Sequence, residues 1–575
     1  MSLRSLDMTQ PNPDPYPTPP DWPHCGHGAQ PETDPVGCRG RRVEPYAECL
    51  VHLKDADRSA YLADLRAGAD IDHCGTRLSR ELLDELLSAI KDPTTNRPRL
   101  GRADFSHAQF DGDAEFSGVE FGGAVSFWSA KFTDDAAFAE TQFGGNAWFN
   151  EAKFGGKSFF TRAEFSGHAI FHKVKFGGDA HFGTTKFNGS AGFMNTQFSG
   201  YAFFNGSNFE RGGSIGPLVC NGQLQLAYAT FGAAVTIEAA TPSVLCLQTR
   251  WASTAALRLR NAAVDLSDAV MEYPVSIAAR PRPFTSSDAD IPEADLGNAR
   301  VQVVSLQGVD AAHLVLSDVD LTGCRFAGTV HLDQLRLEGR CPLPTTPSGL
   351  RWRGPWPVRW TPRRTLAEEQ HWRAAEGTAP DGWTPAAEGV DVLEPAALAP
   401  MYRQLRKAFE DGKNEPGAAD FYYGEMEMRR HDHDATRTER ALLVLYWALS
   451  GYGLRASRAL GWLLASMLAT VLVLMLWGLP RDDPKPTSTG TVTRHSITMK
   501  TDTPDPVNPD GPYRERLSTD RFEKSLRVVI NSVVFRSSGQ DLTTVGTYSE
   551  MTARLAEPVL LGMAVLAIRG RVKRS

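Results

Sequence analysis

From Phe105 to Phe209 a phenylalanine recurs after five residues, then six, then five, then six, without a slip. The series is Phe105, Phe110, Phe116, Phe121, Phe127, Phe132, Phe138, Phe143, Phe149, Phe154, Phe160, Phe165, Phe171, Phe176, Phe182, Phe187, Phe193, Phe198, Phe204 and Phe209. Two residues before each stands a small or short side chain, among them Ala103, Ala108, Ala114, Val119, Val125, Ala130, Thr141 and Ala180. Residues two apart share one face of an extended backbone, so each short segment sends one large and one small group inward. A helix cannot use this beat, because five or six residues do not return to one face of a 3.6-residue period.

The underlying unit is eleven residues, F-x-x-A-x-F-x-G-x-A-x. The longer step follows alternate Phe, and there a Gly usually stands two residues on, as at Gly112, Gly123, Gly145, Gly156, Gly167, Gly178, Gly189 and Gly200, with Asp134 the one departure. Gly tolerates positive φ, so the extra residue reads as a wider corner. Repeats this short cannot bury a face alone and must stack on their neighbours. Four inward segments per turn give a square coil of about 22 residues, and five such coils make a rod of about 24 Å filled with rings. An array of ordinary hairpins would need alternation over longer runs.

The stretch from 103 to 210 resembles pentapeptide-repeat proteins in their Phe-centred variant. The resemblance implies a mainly β fold, a right-handed quadrilateral β-helix over 101–212. From 213 to 340 the beat loosens, but paired apolar residues such as Leu224/Leu226, Val235/Ile237, Leu257/Leu259 and Leu314/Leu316 recur around a Pro- and Asp-rich interruption at 280–297. This reads as a degenerate continuation of the solenoid.

A solenoid needs caps. Residues 1–20 read as a Pro-rich disordered leader without a secretory signal. Residues 21–100 read as a cap, with one helix near 57–66 stopping at Gly68 and another after Ser79 burying Leu82, Leu83, Leu86, Leu87 and Ile90. The cap holds Cys25, Cys38, Cys49 and His52, spaced C-x12-C-x10-C-x2-H, with His24 and His27 beside the first Cys. A structural zinc could take these four as ligands, although only the last pair has ligand-like closeness, and scattered reduced thiols are the bland alternative. Beyond the rod come a Trp/Pro/Arg-rich linker (341–399), expected to pack on the last coil, and a helical hairpin with an interfacial helix (400–458). In that hairpin Pro400 and Pro416 open the helices and Gly412 separates them. His431 and His433 alternate with Asp432 and Asp434, which reads as a solvated helix end.

Residues 459–480 contain a twenty-residue uncharged run, Leu460 to Leu479, the length of a membrane-crossing helix. A second span is expected at 552–568, with Arg554 and Glu557 three apart and able to pair. Arg437, Arg440, Arg455 and Arg458 precede the first span, and the tail 569–575 carries Arg569, Arg571, Lys573 and Arg574. The positive-inside rule then puts both flanks and the solenoid in the cytoplasm and the loop 481–551 outside. Within that loop Thr543, Thr544, Val545 and Gly546 look like the start of a two-helix potassium-channel filter. The pattern then breaks, because Thr547-Tyr548-Ser549 follow.

No phosphate-binding loop, nucleophile elbow or paired ligand motif on a helix stands out, so a non-catalytic chain is expected. Some pentapeptide-repeat proteins imitate DNA and bind type II topoisomerases, a role that needs an acidic rod. Residues 101–210 carry 12 acids and 8 bases, a net of only 12 − 8 = 4 negative charges. No nucleic-acid partner is expected. The reading is a membrane-anchored scaffold or protein-interaction solenoid, similar in plan to bacterial inner-membrane pentapeptide-repeat proteins, with a signalling role among its options. The alternative is a two-helix pore gated or assembled by the solenoid. The partner protein is not named by the sequence, a homo-oligomer is open, and zinc is the one cofactor suggested.

Overall fold

The computed structural model describes residues 19–572 except 31, 287–288, 291–292, 294–295, 297–299, 350, 354–355, 359, 377–381, 482–484, 494–495, 503 and 535–538. The expected leader therefore falls outside the described residues up to position 18, as do Lys573 and Arg574 of the basic tail. Two compact units make up the chain, Met1–Val392 and Leu393–Ser575.

The first unit is a β-solenoid of about ten turns built from parallel sheets. Each strand pairs with the strand two eleven-residue units further on, as in Phe143↔Phe165, Phe154↔Phe176 and Ala147↔Ala169. Each unit supplies two short strands, so four rows of strands rise along the rod. The rings stand in four columns inside, such as Phe105–Phe127–Phe149–Phe171–Phe193, with stacked centroids about 5 Å apart. Rings of neighbouring columns meet edge to face, as Phe149 does Phe160 at 5.5 Å and 89°. That mixture satisfies the ring quadrupole along and across the column. The small partners Ala103, Ala108, Val125, Thr141 and Ala180 are buried too. Thr141 recovers the desolvation of its hydroxyl by donating to the Phe116 carbonyl at 2.8 Å.

The corners differ from expectation. Positive φ falls in the shorter step, two residues after every other Phe, at non-glycine residues such as Ser129 (54°), Glu140 (58°), Glu151 (59°) and Arg162 (59°). Apart from Gly112, the longer-step glycines named above do not have positive φ. They are needed for space: a Cβ on Gly167 would stand 2.5 Å from the Gly145 carbonyl oxygen one coil below, and one on Gly189 would stand 2.1 Å from that of Gly167.

The coil starts earlier than the Phe beat. Strands Ala69–Asp72 and Arg77–Ser79 already pair with the Phe coils, Ile71 opposite Ala103 and Leu78 opposite Phe110. Helix α1 (Asp55–Asp64) precedes them, and α2 (Arg80–Ala89) follows, capped by Ser79, whose hydroxyl accepts from the Leu82 N–H. Buried His73 lies beneath Phe105, the column's first ring, with centroids 6.3 Å apart. At the other end the Phe121 column runs on through Phe231 and Trp251. There the coil shortens by two residues, with Phe231↔Trp251 and Val244↔Val264 in register. The Pro/Asp-rich interruption enters between the directly paired strand residues Val264 and Val303, and the last coil strand is Arg336–Glu338.

The expected linker contains a buried helix, α3 (Ala367–Glu376). Its charges hid it, and they are buried because they are paired. Glu369 holds Arg363 at 2.5 Å and Arg373 at 2.6 Å. Arg373 also lies over the rings of Trp360, Trp372 and Trp383 at 5.0–5.3 Å. Glu368 accepts from the Phe326 N–H of the solenoid, closing that end of the rod.

The second unit opens with the antiparallel pair α4 (Pro395–Asp411) and α5 (Glu415–His431). Pro400 lies inside α4, and Pro395 occupies its first turn, where a missing N–H costs nothing. Helix α6 (Arg437–Ser450) ends at Gly451 with φ 55°. Helix α7 (Ala456–Val473) runs into a π-helical turn, Leu474–Gly478. An exposed β-hairpin (Thr487–Thr493, Ser496–Asp502), a single turn α8 (Tyr513–Arg516), α9 (Thr519–Val533) and α10 (Thr544–Val572) complete it.

Candidate functional sites

Cys25, Cys38, Cys49 and His52 converge in the segment before α1. One ligand atom from each lies within 4.8 Å of every other. Cys25 Sγ is 3.6 Å and Cys49 Sγ 3.3 Å from His52 Nδ1, and the Cys38 and Cys49 sulfurs are 3.7 Å apart, unbonded. Cys49 is fully buried and the other three half-buried. The Cys38 thiol is held below the usual thiol range, chiefly by its hydrogen bond with Cys49, while that same contact and burial push Cys49 up. His27 stacks on His52 with centroids 4.2 Å apart. Spacing alone makes only Cys49 and His52 neighbours. Folding brings Cys25 and Cys38 to them through the backbone bonds Cys25 N–H to Gly40 O and Gly26 N–H to Cys38 O, both 2.8 Å.

In the second unit two helices are long and apolar enough to cross a membrane, Ala456–Gly478 and Thr544–Arg569. At 1.5 Å per residue they reach about 35 and 39 Å. The second span is longer than expected, because its first turn recruits the residues suggested as a filter. Thr544, Val545 and Gly546 are helical, and Thr543 caps them, its hydroxyl accepting from the Gly546 N–H at 3.3 Å. Helical carbonyls are engaged along the helix and cannot line up to strip an ion of water. Gly546 instead lies against Gly478, where a Cβ would meet the Gly478 carbonyl oxygen at 2.3 Å.

Helix α9, within the segment 481–551, is packed against the first span. Val528 and Val529 pack on Val471, Leu474 and Met475 of the first span. Arg554 pairs with Glu550 at 2.7 Å and not with Glu557. Glu557 is buried and accepts from Ser532 of α9 at 2.6 Å and from Thr470 of α7 at 3.4 Å. Arg521 donates to the carbonyls of Met475, Leu479 and Pro480 at 2.8–3.0 Å, satisfying the open end of the π turn. Sequence spacing gave no signal for these contacts, which bring together residues far apart in the chain. The only hint was a carboxylate in an apolar run. Among the described residues, His431 and His433 belong to no group of three or more metal-ligating side chains.

The outer faces of the rod carry their own registers. Lys131, Lys153 and Lys175 form one row. Phe159, His181 and Phe203 form another, stacked at 5.0 and 4.7 Å. Glu120, Gln142 and Glu164 form a third.

Residues 138–186 match the family model described as pentapeptide repeats in nine copies. Neither a curated protein nor a solved structure matches the chain. With rings stacked coil upon coil inside parallel strands, the chain carries pentapeptide repeats within a β-solenoid, accompanied by two helices able to cross a membrane.

Proposed function

We propose that this chain is a non-catalytic, membrane-anchored scaffold whose solenoid docks a protein partner. The observation that carries the anchor is the outward surface of the two long helices. Leu464, Leu468 and Leu472 on one, and Leu555, Val559 and Leu566 on the other, are more than half exposed. A contiguous apolar surface of that kind belongs in lipid and not in water. Arginines before the first span and after the second support an inner-membrane hairpin with the solenoid on the cytoplasmic side. Docking is supported by the straight rows of lysine and of aromatic side chains, since a stiff rod presents such rows in fixed order. A photo-crosslinking residue in place of His181, in the full chain in native membranes, is expected to capture one discrete protein. Recovery of the full chain in the supernatant after alkaline carbonate extraction ends the anchor, and absence of any captured band ends the docking role.

A second reading, a two-helix pore, is favoured by Glu557, a buried carboxylate touched by both α7 and α9. Cation flux in liposomes that falls with Glu557→Gln supports it, and liposomes without flux remove it.

A further inference from the structure

The segment 19–54 contains no helix or strand among its described residues, only the bridges His24↔Arg41 and Gln30↔Asp34. Its buried apolar side chains are few: Val36, Val43, Leu50 and Leu53, beside Cys49. A core that small does not hold a chain of this length in one conformation, and natural domains in that position use a staple. Yet the backbone is sharply specified. Gly26, Gly28 and Gly37 take φ of 69°, 74° and 63°. A Cβ on Gly40 would meet the Cys49 Cβ at 2.9 Å and its Sγ at 3.0 Å.

We infer that Cys25, Cys38, Cys49 and His52 form a structural zinc site that folds this segment into the cap of the solenoid. Zn–S and Zn–N bonds of about 2.3 and 2.05 Å in a tetrahedron place sulfurs about 3.8 Å apart and sulfur and nitrogen about 3.6 Å apart. The Cys38 and Cys49 sulfurs are 3.7 Å apart, the Cys25 and Cys49 sulfurs lie 3.6 and 3.3 Å from His52 Nδ1, and all four ligand atoms fall within 4.8 Å of one another. The 3.7 and 3.6 Å separations match tetrahedral edges, and the sulfurs are far farther apart than a disulfide bond of about 2.05 Å. Three thiolates and one imidazole are a soft, borderline set that suits zinc over magnesium or calcium. All four positions are filled by protein, so no coordination site is left for substrate, and the role is structural. On binding, each thiol gives its proton to solvent as its sulfur–zinc bond forms, with no change of oxidation state.

The knuckle so formed is fastened to the first coil. Arg41 N–H donates to the Cys74 carbonyl at 2.8 Å, and its guanidinium meets Asp72 at 3.1 Å. Trp22 stacks on His107 at 5.4 Å. Metal binding is thereby coupled to closure of the exposed end of the rod.

The test uses the full chain purified in detergent under reducing conditions without chelator. About one zinc per chain is expected by elemental analysis. Cobalt(II) added to metal-stripped wild-type chain should give a thiolate-to-cobalt charge-transfer band and the ligand-field bands of a tetrahedral centre. Cys49→Ser and His52→Ala should lose most of the zinc. His52→Cys, which keeps four soft ligands, should retain it with an altered cobalt spectrum. Metal-free chain that also gives no tetrahedral cobalt spectrum overturns the inference, as does an iron–thiolate spectrum in the purified protein. A Cys38–Cys49 disulfide in chain isolated under reducing conditions overturns it as well.

Discussion

Phe143 and Phe165 lie face to face with centroids 4.4 Å apart and planes within 2°, although four strands' worth of chain separates them. One complete circuit of backbone therefore returns each ring to the place directly above the last. Inward phenylalanines consequently act as column members, each touching rings above, below and beside it.

Phe149 illustrates the energetic consequence. It stacks on Phe127 and Phe171 and meets Phe138 and Phe160 edge on. Phe149→Ala should cost about 3–5 kcal/mol, transfer and cavity together. Phe159 is adjacent in sequence to Phe160 but faces outward, stacking on its row neighbour His181. Phe159→Ser should cost about 1 kcal/mol or less. Urea unfolding followed by circular dichroism separates the two, and equal losses would contradict the inward–outward assignment.

The corners make opposite demands. Gly167→Ala pushes a methyl into the Gly145 carbonyl and should destabilise by about 1–3 kcal/mol. Glu151, at φ 59°, bears left-handed strain, so Glu151→Gly should be neutral or stabilising by up to about 1 kcal/mol. Thermal midpoints moving the other way would return the left-handed corners to the glycines.

At the base of the Phe105 column, burial holds the His73 imidazole down at about 4. An unfolded imidazole titrates near 6.5, so below that pH the unfolded chain takes up the proton first. The fold is fully supported above about 6.5 and loses about 3 kcal/mol as pH falls through about 4. His73→Phe should flatten that part of the stability–pH curve, and an unchanged slope would contradict the burial of a neutral ring.

In the second unit, Arg521 donates to three different backbone carbonyls, a task for a planar fork. Arg521→Lys should lower the stability of the helical hairpin by about 1–3 kcal/mol. Ser532→Ala, which removes a donor from Glu557, should act in the same direction. Thermal unfolding in detergent reads both, and wild-type midpoints would detach α9 from the spans.

Legibility followed the range of the interactions. The Phe beat is a local schedule repeated twenty times, so the strands, the inward faces and the length of one coil could all be read from spacing. Ser79 and the Leu82–Leu87 stripe announced α2 for the same reason. Reading failed where a position is defined by chain distant in sequence. Gly167 has its carbonyl neighbour, Gly145, a whole coil back, so a need for space looked like a need for positive φ. Helix α3 was hidden because Glu369 and Arg373 look solvated until Arg363 and the tryptophans close on them. Of the Cys/His cluster, only the pair three residues apart was visible, since Cys25 and Cys38 arrive through turns at left-handed glycines.

The register of the coil is most directly read by paired cysteines on the outer lysine row. Lys153 and Lys175 are paired residues of adjacent coils, whose strands lie about 4.8 Å apart. With Lys153→Cys and Lys175→Cys in one chain, a short bifunctional thiol reagent should link the pair rapidly. With Lys153→Cys and Glu164→Cys, one eleven-residue unit apart and on different rows, it should not. Efficient linkage of the second pair, or none of the first, would contradict a tube that closes once every two units.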